Sequence, residues 1–121
     1  QHPFDNGELD IRDEMIIPPP RTPEQIKKEM SMYYGMVSEV DFQLGRVLDA
    51  LRRSGRQDNA VIVFASDNGL AMGRNGLLGK QSLYDHSVGV PLVIVDPRHP
   101  GHRETDALCL LSDLFPTLCG M

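Results

Sequence analysis

Ala60-Val61-Ile62-Val63-Phe64-Ala65-Ser66-Asp67-Asn68-Gly69 decides how the rest of this chain is read. Its first six residues form a short, continuous, β-branched apolar run without alternation, the pattern of a strand buried on both faces, as in a parallel sheet. Where the run stops, four polar or turn-forming residues follow. In open α/β sheets, ligands gather at the carboxyl ends of strands, so Ser66 to Gly69 is the first place to look for chemistry. Asp67 offers a carboxylate and Asn68 an amide carbonyl, both hard oxygen donors suited to Ca²⁺ or Mg²⁺. Asp-Asn-Gly is equally a strong turn sequence, and these residues alone do not separate the two readings.

Outward from this stretch, the chain supplies a helix before it and a second strand after it. Thr22 is placed as an N-cap, Pro23 suits the first helical position, and Gln25 completes a capping-box pattern. Ile26, Met30, Tyr33, Val37, Val40, Leu44, Val47, Leu48 and Leu51 then recur at steps of three and four, which predicts a long amphipathic helix ending at Gly55. Its tyrosines and methionines read as core, Gly35 and Gly45 as points of close packing, and Asp41 as a partly buried residue needing partners. Leu92-Val93-Ile94-Val95, closed by Asp96-Pro97, predicts the second buried strand. Between the strands lie a Gly-rich loop and a short helix around residues 81–86. Helical spacing returns at 105–118, with Pro116 marking a break or a new turn. These elements predict an α/β layer fold with short buried parallel strands. Residues 1–21, with Pro3, Asn6-Gly7 and Pro18-Pro19-Pro20, read as an irregular Pro-rich segment ahead of a unit spanning 22–121.

Composition narrows the function classes. With 121 residues the chain is at most one domain. Its net charge of −5 leaves no basic stripe to neutralise phosphates, which argues against a nucleic-acid partner. No apolar run reaches membrane-spanning length. Cys109 and Cys119 lack zinc-ligand spacing; they read as two buried thiols, with a disulfide as the alternative. The chain opens on Gln1 rather than Met, as expected for a segment of a longer protein, in which any export signal would lie upstream.

Lys80 adds weight to the ligand reading, since a Lys ammonium is a compact point charge able to hold an oxyanion near a divalent cation. Several separated blocks now occur together. They are Val61 to Gly69, Gly76-Leu77-Leu78-Gly79-Lys80-Gln81-Ser82-Leu83-Tyr84-Asp85-His86-Ser87, Val90-Pro91-Leu92-Val93-Ile94, and Leu111-Ser112-Asp113-Leu114-Phe115-Pro116-Thr117-Leu118. With Leu44-Gly45-Arg46-Val47-Leu48 in the helix, this series resembles the type I sulfatases of the alkaline phosphatase superfamily.

The resemblance implies that Asp67 and Asn68 coordinate the active-site cation, usually Ca²⁺ with Mg²⁺ the alternative, and that Lys80 contacts the sulfate ester. It offers His2 as a further substrate contact, and it implies a periplasmic, secreted or lysosomal location. The family's nucleophile is a formylglycine made from Cys or Ser in a Cys/Ser-x-Pro-x-Arg signature. No Cys or Ser here is followed by Pro at that step, and the chain contains no Asp-Asp pair. The expectation is therefore a segment of a sulfatase catalytic domain carrying metal and sulfate ligands without a nucleophile, inactive on its own. Asn75 and Gly89 stand where relatives often carry His and Arg. The alternatives are a phosphatase or phosphodiesterase of the same superfamily, and a noncatalytic α/β module. His86 reads as a hydrogen-bonded structural histidine.

Overall fold

A computed structural model describes residues 17–18 and 20–121 of the chain. His2 and most of the Pro-rich segment lie outside the described residues. The first element, α1, runs from Pro23 to Arg53. Its length corresponds to about 46 Å at the usual rise per residue. Both halves of the expected capping box form: the Gln25 N–H donates to Thr22 Oγ1 at 3.3 Å, and the Thr22 N–H to Gln25 Oε1 at 2.8 Å. At the far end Ser54 caps the helix, and Gly55 follows in the left-handed region at φ 69°. There its N–H donates to the Arg52 carbonyl, closing the last turn.

Strands β1 (Ile62–Ala65) and β2 (Leu92–Val95) form a two-stranded sheet. They pair antiparallel, Ile62 opposite Val95 and Ala65 opposite Leu92, which corrects the parallel arrangement expected from the sequence. The reason lies in the connection. A parallel return needs a crossover long enough to carry the chain to the other end of the sheet, usually through a helix. Residues 66–91 contain only α2, the single turn Asp85–Val88, and a loop that folds back on itself around a 3-10 turn at Arg74–Gly76. The chain re-enters the sheet at the end where it left. An unalternating apolar run reports that both faces are apolar, not which way the partner runs.

Burial also departs from expectation. No residue of α1 is buried, nor is any residue of β2, and Val47 is 64% exposed. Among the described residues nothing approaches Gly35 or Gly45, and Asp41 is exposed. The two strands pack against each other, while α1 makes no comparable contact with either. Among the described residues the buried hydrophobic ones are Ile17, Ala71, Leu77 and Leu78. The core thus sits under the loop between the strands.

The C-terminal part is shorter in helix than its spacing predicted. A 3-10 turn at Leu111–Asp113 leads into α3, Leu114–Gly120. Pro116 falls in the first turn of α3, where a missing N–H removes no intrahelical bond. Cys109 and Cys119 are free thiols and exposed rather than buried. No helix among the described residues is long and apolar enough to cross a membrane.

Candidate functional site

The carboxyl end of β1 opens into a turn built by its own side chains. Ser66 Oγ donates to the Asn68 carbonyl at 2.9 Å, and Asp67 Oδ1 accepts from the Asn68 N–H at 2.9 Å. Asp67 is exposed and Asn68 half-buried. Gly69 follows because nothing larger fits: a Cβ there would land on the His86 carbonyl oxygen. Its N–H donates to the Ser87 carbonyl at 2.9 Å, so α2 sets the position of the Asp67-Asn68 turn.

Residues 71–79 form a narrow, doubled-back loop. The Ala71 N–H donates to the Gly79 carbonyl at 3.0 Å and the Gly73 N–H to the Leu77 carbonyl at 2.7 Å. Its tip requires left-handed backbone at Met72, Gly73, Asn75 and Gly76. Asn tolerates that region better than most side chains, which gives the Asn75 departure a local backbone rationale. The loop is pinned from outside as well. Arg21 Nη1 donates to the Gly76 carbonyl at 2.6 Å and Arg21 Nε to the Ile17 carbonyl at 2.8 Å. Gly73 lies so close to the Ile26 side chain that an added Cβ would sit 2.6 Å from it.

This loop delivers Lys80. Lys80 Nζ donates to Asn68 Oδ1 at 2.7 Å across a separation of 12 residues. An ammonium has only donors, so the amide oxygen must face it. The Asn68 Nδ2 group accordingly points the other way and donates to the Gly69 carbonyl at 3.1 Å. The structure therefore brings three of the sequence-derived site residues, Asp67, Asn68 and Lys80, to one exposed corner.

Two serines beside this corner carried no signal in the sequence beyond their spacing from His86. Ser82 Oγ lies 3.2 Å from His86 Nε2 and 3.0 Å from Ser87 Oγ, and Ser87 is buried. His86 Nδ1 is buried without a hydrogen-bond partner among the described residues. The cluster ties the segment after Lys80 to the turn of α2 that holds Gly69. Gly89 ends α2, and a Cβ there would lie 2.8 Å from the Asp85 carbonyl oxygen, which explains a glycine in this tight exit.

At the opposite end of the sheet a second polar group closes the turn after β2. Asp96 accepts from Arg98 Nε at 2.9 Å and Arg98 Nη2 at 2.9 Å, and lies 3.1 Å from His99 Nδ1. Arg98 Nη1 also donates to the Met121 carbonyl at 2.6 Å. Arg98 holds the Asp96 carboxyl well below the usual carboxylate range; desolvation opposes this and His99 adds to it. This group is a structural staple remote in sequence from Asp67, Asn68 and Lys80.

A family model described as sulfatase matches residues 4–121. A sulfatase of Formosa agariphila is 38% identical over 92 residues, which are 76% of this chain and 18% of that protein. Arylsulfatase K of Bos taurus is 31% identical over 97 residues, 80% of this chain and 18% of that protein. The multifunctional alkaline phosphatase superfamily protein PehA of Trinickia caryophylli is 36% identical over 97 residues, 78% and 19% respectively. The chain thus spans less than a fifth of the length of each of these three relatives. No solved structure matches.

Proposed function

The chain belongs to the sulfatase family, and from that premise we propose that it forms part of a sulfatase catalytic domain hydrolysing sulfate monoesters. Its part is the ligand corner of Asp67, Asn68 and Lys80, with the nucleophile supplied by sequence outside these 121 residues. The observation that carries this reading is the 2.7 Å contact between Lys80 Nζ and Asn68 Oδ1, which sets a cation and a hard oxygen donor side by side at a strand end.

The donor chemistry fits a hard divalent cation in part. Asp67 contributes a carboxylate and Asn68 an amide oxygen, and calcium takes six to eight oxygens. No group of three or more His, Cys, Asp or Glu able to hold a metal occurs among the described residues. Asp67 and Asn68 therefore serve as two ligands of a larger set, with Ca²⁺ first and Mg²⁺ second. The bound ion would supply positive charge beside the transferring sulfuryl group. Lys80 holds a sulfate oxygen from the other side, and its exposed ammonium has the reach to do so. His2 stands as a further substrate contact on the resemblance alone. A periplasmic, secreted or lysosomal setting likewise stands on the resemblance alone.

A second reading has one observation in its favour. The similarity to a multifunctional alkaline phosphatase superfamily protein makes phosphate mono- or diesters the competing substrates. Turnover of an aryl sulfate and of the matching aryl phosphate by the intact parent enzyme decides between them. Asn68→Ala and Lys80→Ala should each lower aryl sulfate turnover by about 100-fold. Undiminished turnover in both variants overturns the proposal, and a preference for the phosphate ester favours the second reading.

A further inference from the structure

The two sides of the contact between Asn68 and Lys80 are also joined through α2. Gly69, next after Asn68, donates its N–H to the Ser87 carbonyl at 2.9 Å and lies against the His86 carbonyl oxygen. Ser82, whose N–H donates to the Lys80 carbonyl at 2.8 Å, puts its hydroxyl 3.2 Å from His86 Nε2 and 3.0 Å from Ser87 Oγ. Backbone carbonyls thus hold the Asn68 side, and side chains hold the Lys80 side. Replacing the imidazole leaves the first in place and acts on the second.

We infer that His86 is a positioning residue for Lys80: through Nε2 it fixes Ser82, and Ser82 fixes the Lys80 backbone where the ammonium meets Asn68. The role rests on the proposed reading of Lys80 as the sulfate contact and requires nothing of the cation.

The imidazole is set for one bond. Nδ1 is buried without a partner among the described residues, so Nε2 makes the ring's hydrogen bond there. The Ser82 hydroxyl has one proton and two lone pairs, and can accept from Nε2–H while donating to Ser87 Oγ. The reverse direction puts the ring proton on Nδ1 as a buried N–H without an acceptor, the costlier arrangement. The Tyr84 ring, its centroid 5.5 Å from that of His86 and inclined at 36°, restricts the swing of the imidazole. Upstream of Lys80, the Gly79 carbonyl is held independently by the Ala71 N–H at 3.0 Å. Without the bond between Ser82 and His86, the segment after Lys80 is loosened. An exposed ammonium on a loosened backbone then meets the oxyanion less often in the reactive geometry.

Aryl sulfate turnover by the intact parent enzyme, in a double-mutant cycle between His86 and Lys80, tests this. His86→Ala and Ser82→Ala should each lower kcat/KM by about 10-fold. His86→Gln, whose amide nitrogen reaches the place of Nε2, should recover most of that loss. His86→Asn, whose shorter amide reaches only the place of Nδ1, should not. In the Lys80→Ala background, His86→Ala should lower turnover by less than about twofold further, because the group it positions is gone. Ser82→Ala, which removes a single oxygen, carries the same cycle if His86→Ala does not accumulate as folded enzyme. Losses that multiply in the double variant, or equal turnover by His86→Gln and His86→Asn, overturn the positioning role and leave the sulfate contact standing. Unchanged turnover in Lys80→Ala overturns both.

Discussion

The loop between the strands and the frame that carries it are built on opposite terms. Residues 66–89 hold most of the buried side chains of the described structure, and many of their polar groups are engaged by near neighbours in sequence. The frame, α1 with β1 and β2, holds most of the regular secondary structure yet buries nothing fully. A loop that encloses its own core and hydrogen bonds can keep its shape with little help. A helix and a sheet with apolar residues on open surface are patterned for further contacts. In this segment the chemistry-bearing part is locally determined, and the scaffold is not.

Substitutions on the two sides sharpen that contrast. Leu78 is 1% exposed, so Leu78→Ala should cost about 3 kcal/mol in urea unfolding. Val47→Ala, on the α1 stripe, should stay within about 0.5 kcal/mol. A Val47→Ala cost equal to that of Leu78→Ala would mean the stripe is covered in solution, and the contrast would fail. Gly69→Ala forces the Asp67-Asn68 turn off the His86 carbonyl and should cost about 2 kcal/mol. It should also shift the Asn68 side-chain amide resonances, a response that Gly35→Ala, with open space around it, should not produce.

Smaller effects belong to the ends of the frame. Thr22→Ala removes one half of the capping box and should lower stability by about 1 kcal/mol, read as earlier loss of helical signal on heating. The Asp96 staple gives the weakest effect and a definite sign. Its carboxyl is held below the ordinary value, so its contribution is fully present above about pH 4 and is lost as pH falls from there toward the folded value. Acid titration of unfolding should therefore be shallower in Asp96→Asn than in the parent chain below about pH 4. An identical acid limb in both would remove the staple from the description.

What the sequence made legible follows the same division. The capping box at Thr22 and the left-handed Gly55 were readable because each depends on residues within one helical turn. The meeting of Asp67, Asn68 and Lys80 was expected from a resemblance and has a local explanation in the doubled-back loop. Strand direction was not legible, because an apolar run such as Val61 to Phe64 carries no record of its partner. The exposure of the α1 stripe was not legible for a related reason. Periodicity shows that Val40, Val47 and Leu48 share a face, but a face is buried only where something packs on it. Arg21 on the Gly76 carbonyl spans 55 residues, and no local pattern announces such a contact.

The claim on which most depends is that Asn68 holds a cation with Asp67 beside it. The calcium dependence of aryl sulfate turnover by the intact parent enzyme tests it most directly, comparing the natural sequence with Asn68→Ala. Loss of one oxygen ligand should raise the calcium concentration for half-maximal turnover by about tenfold or more. An unchanged calcium dependence would contradict it.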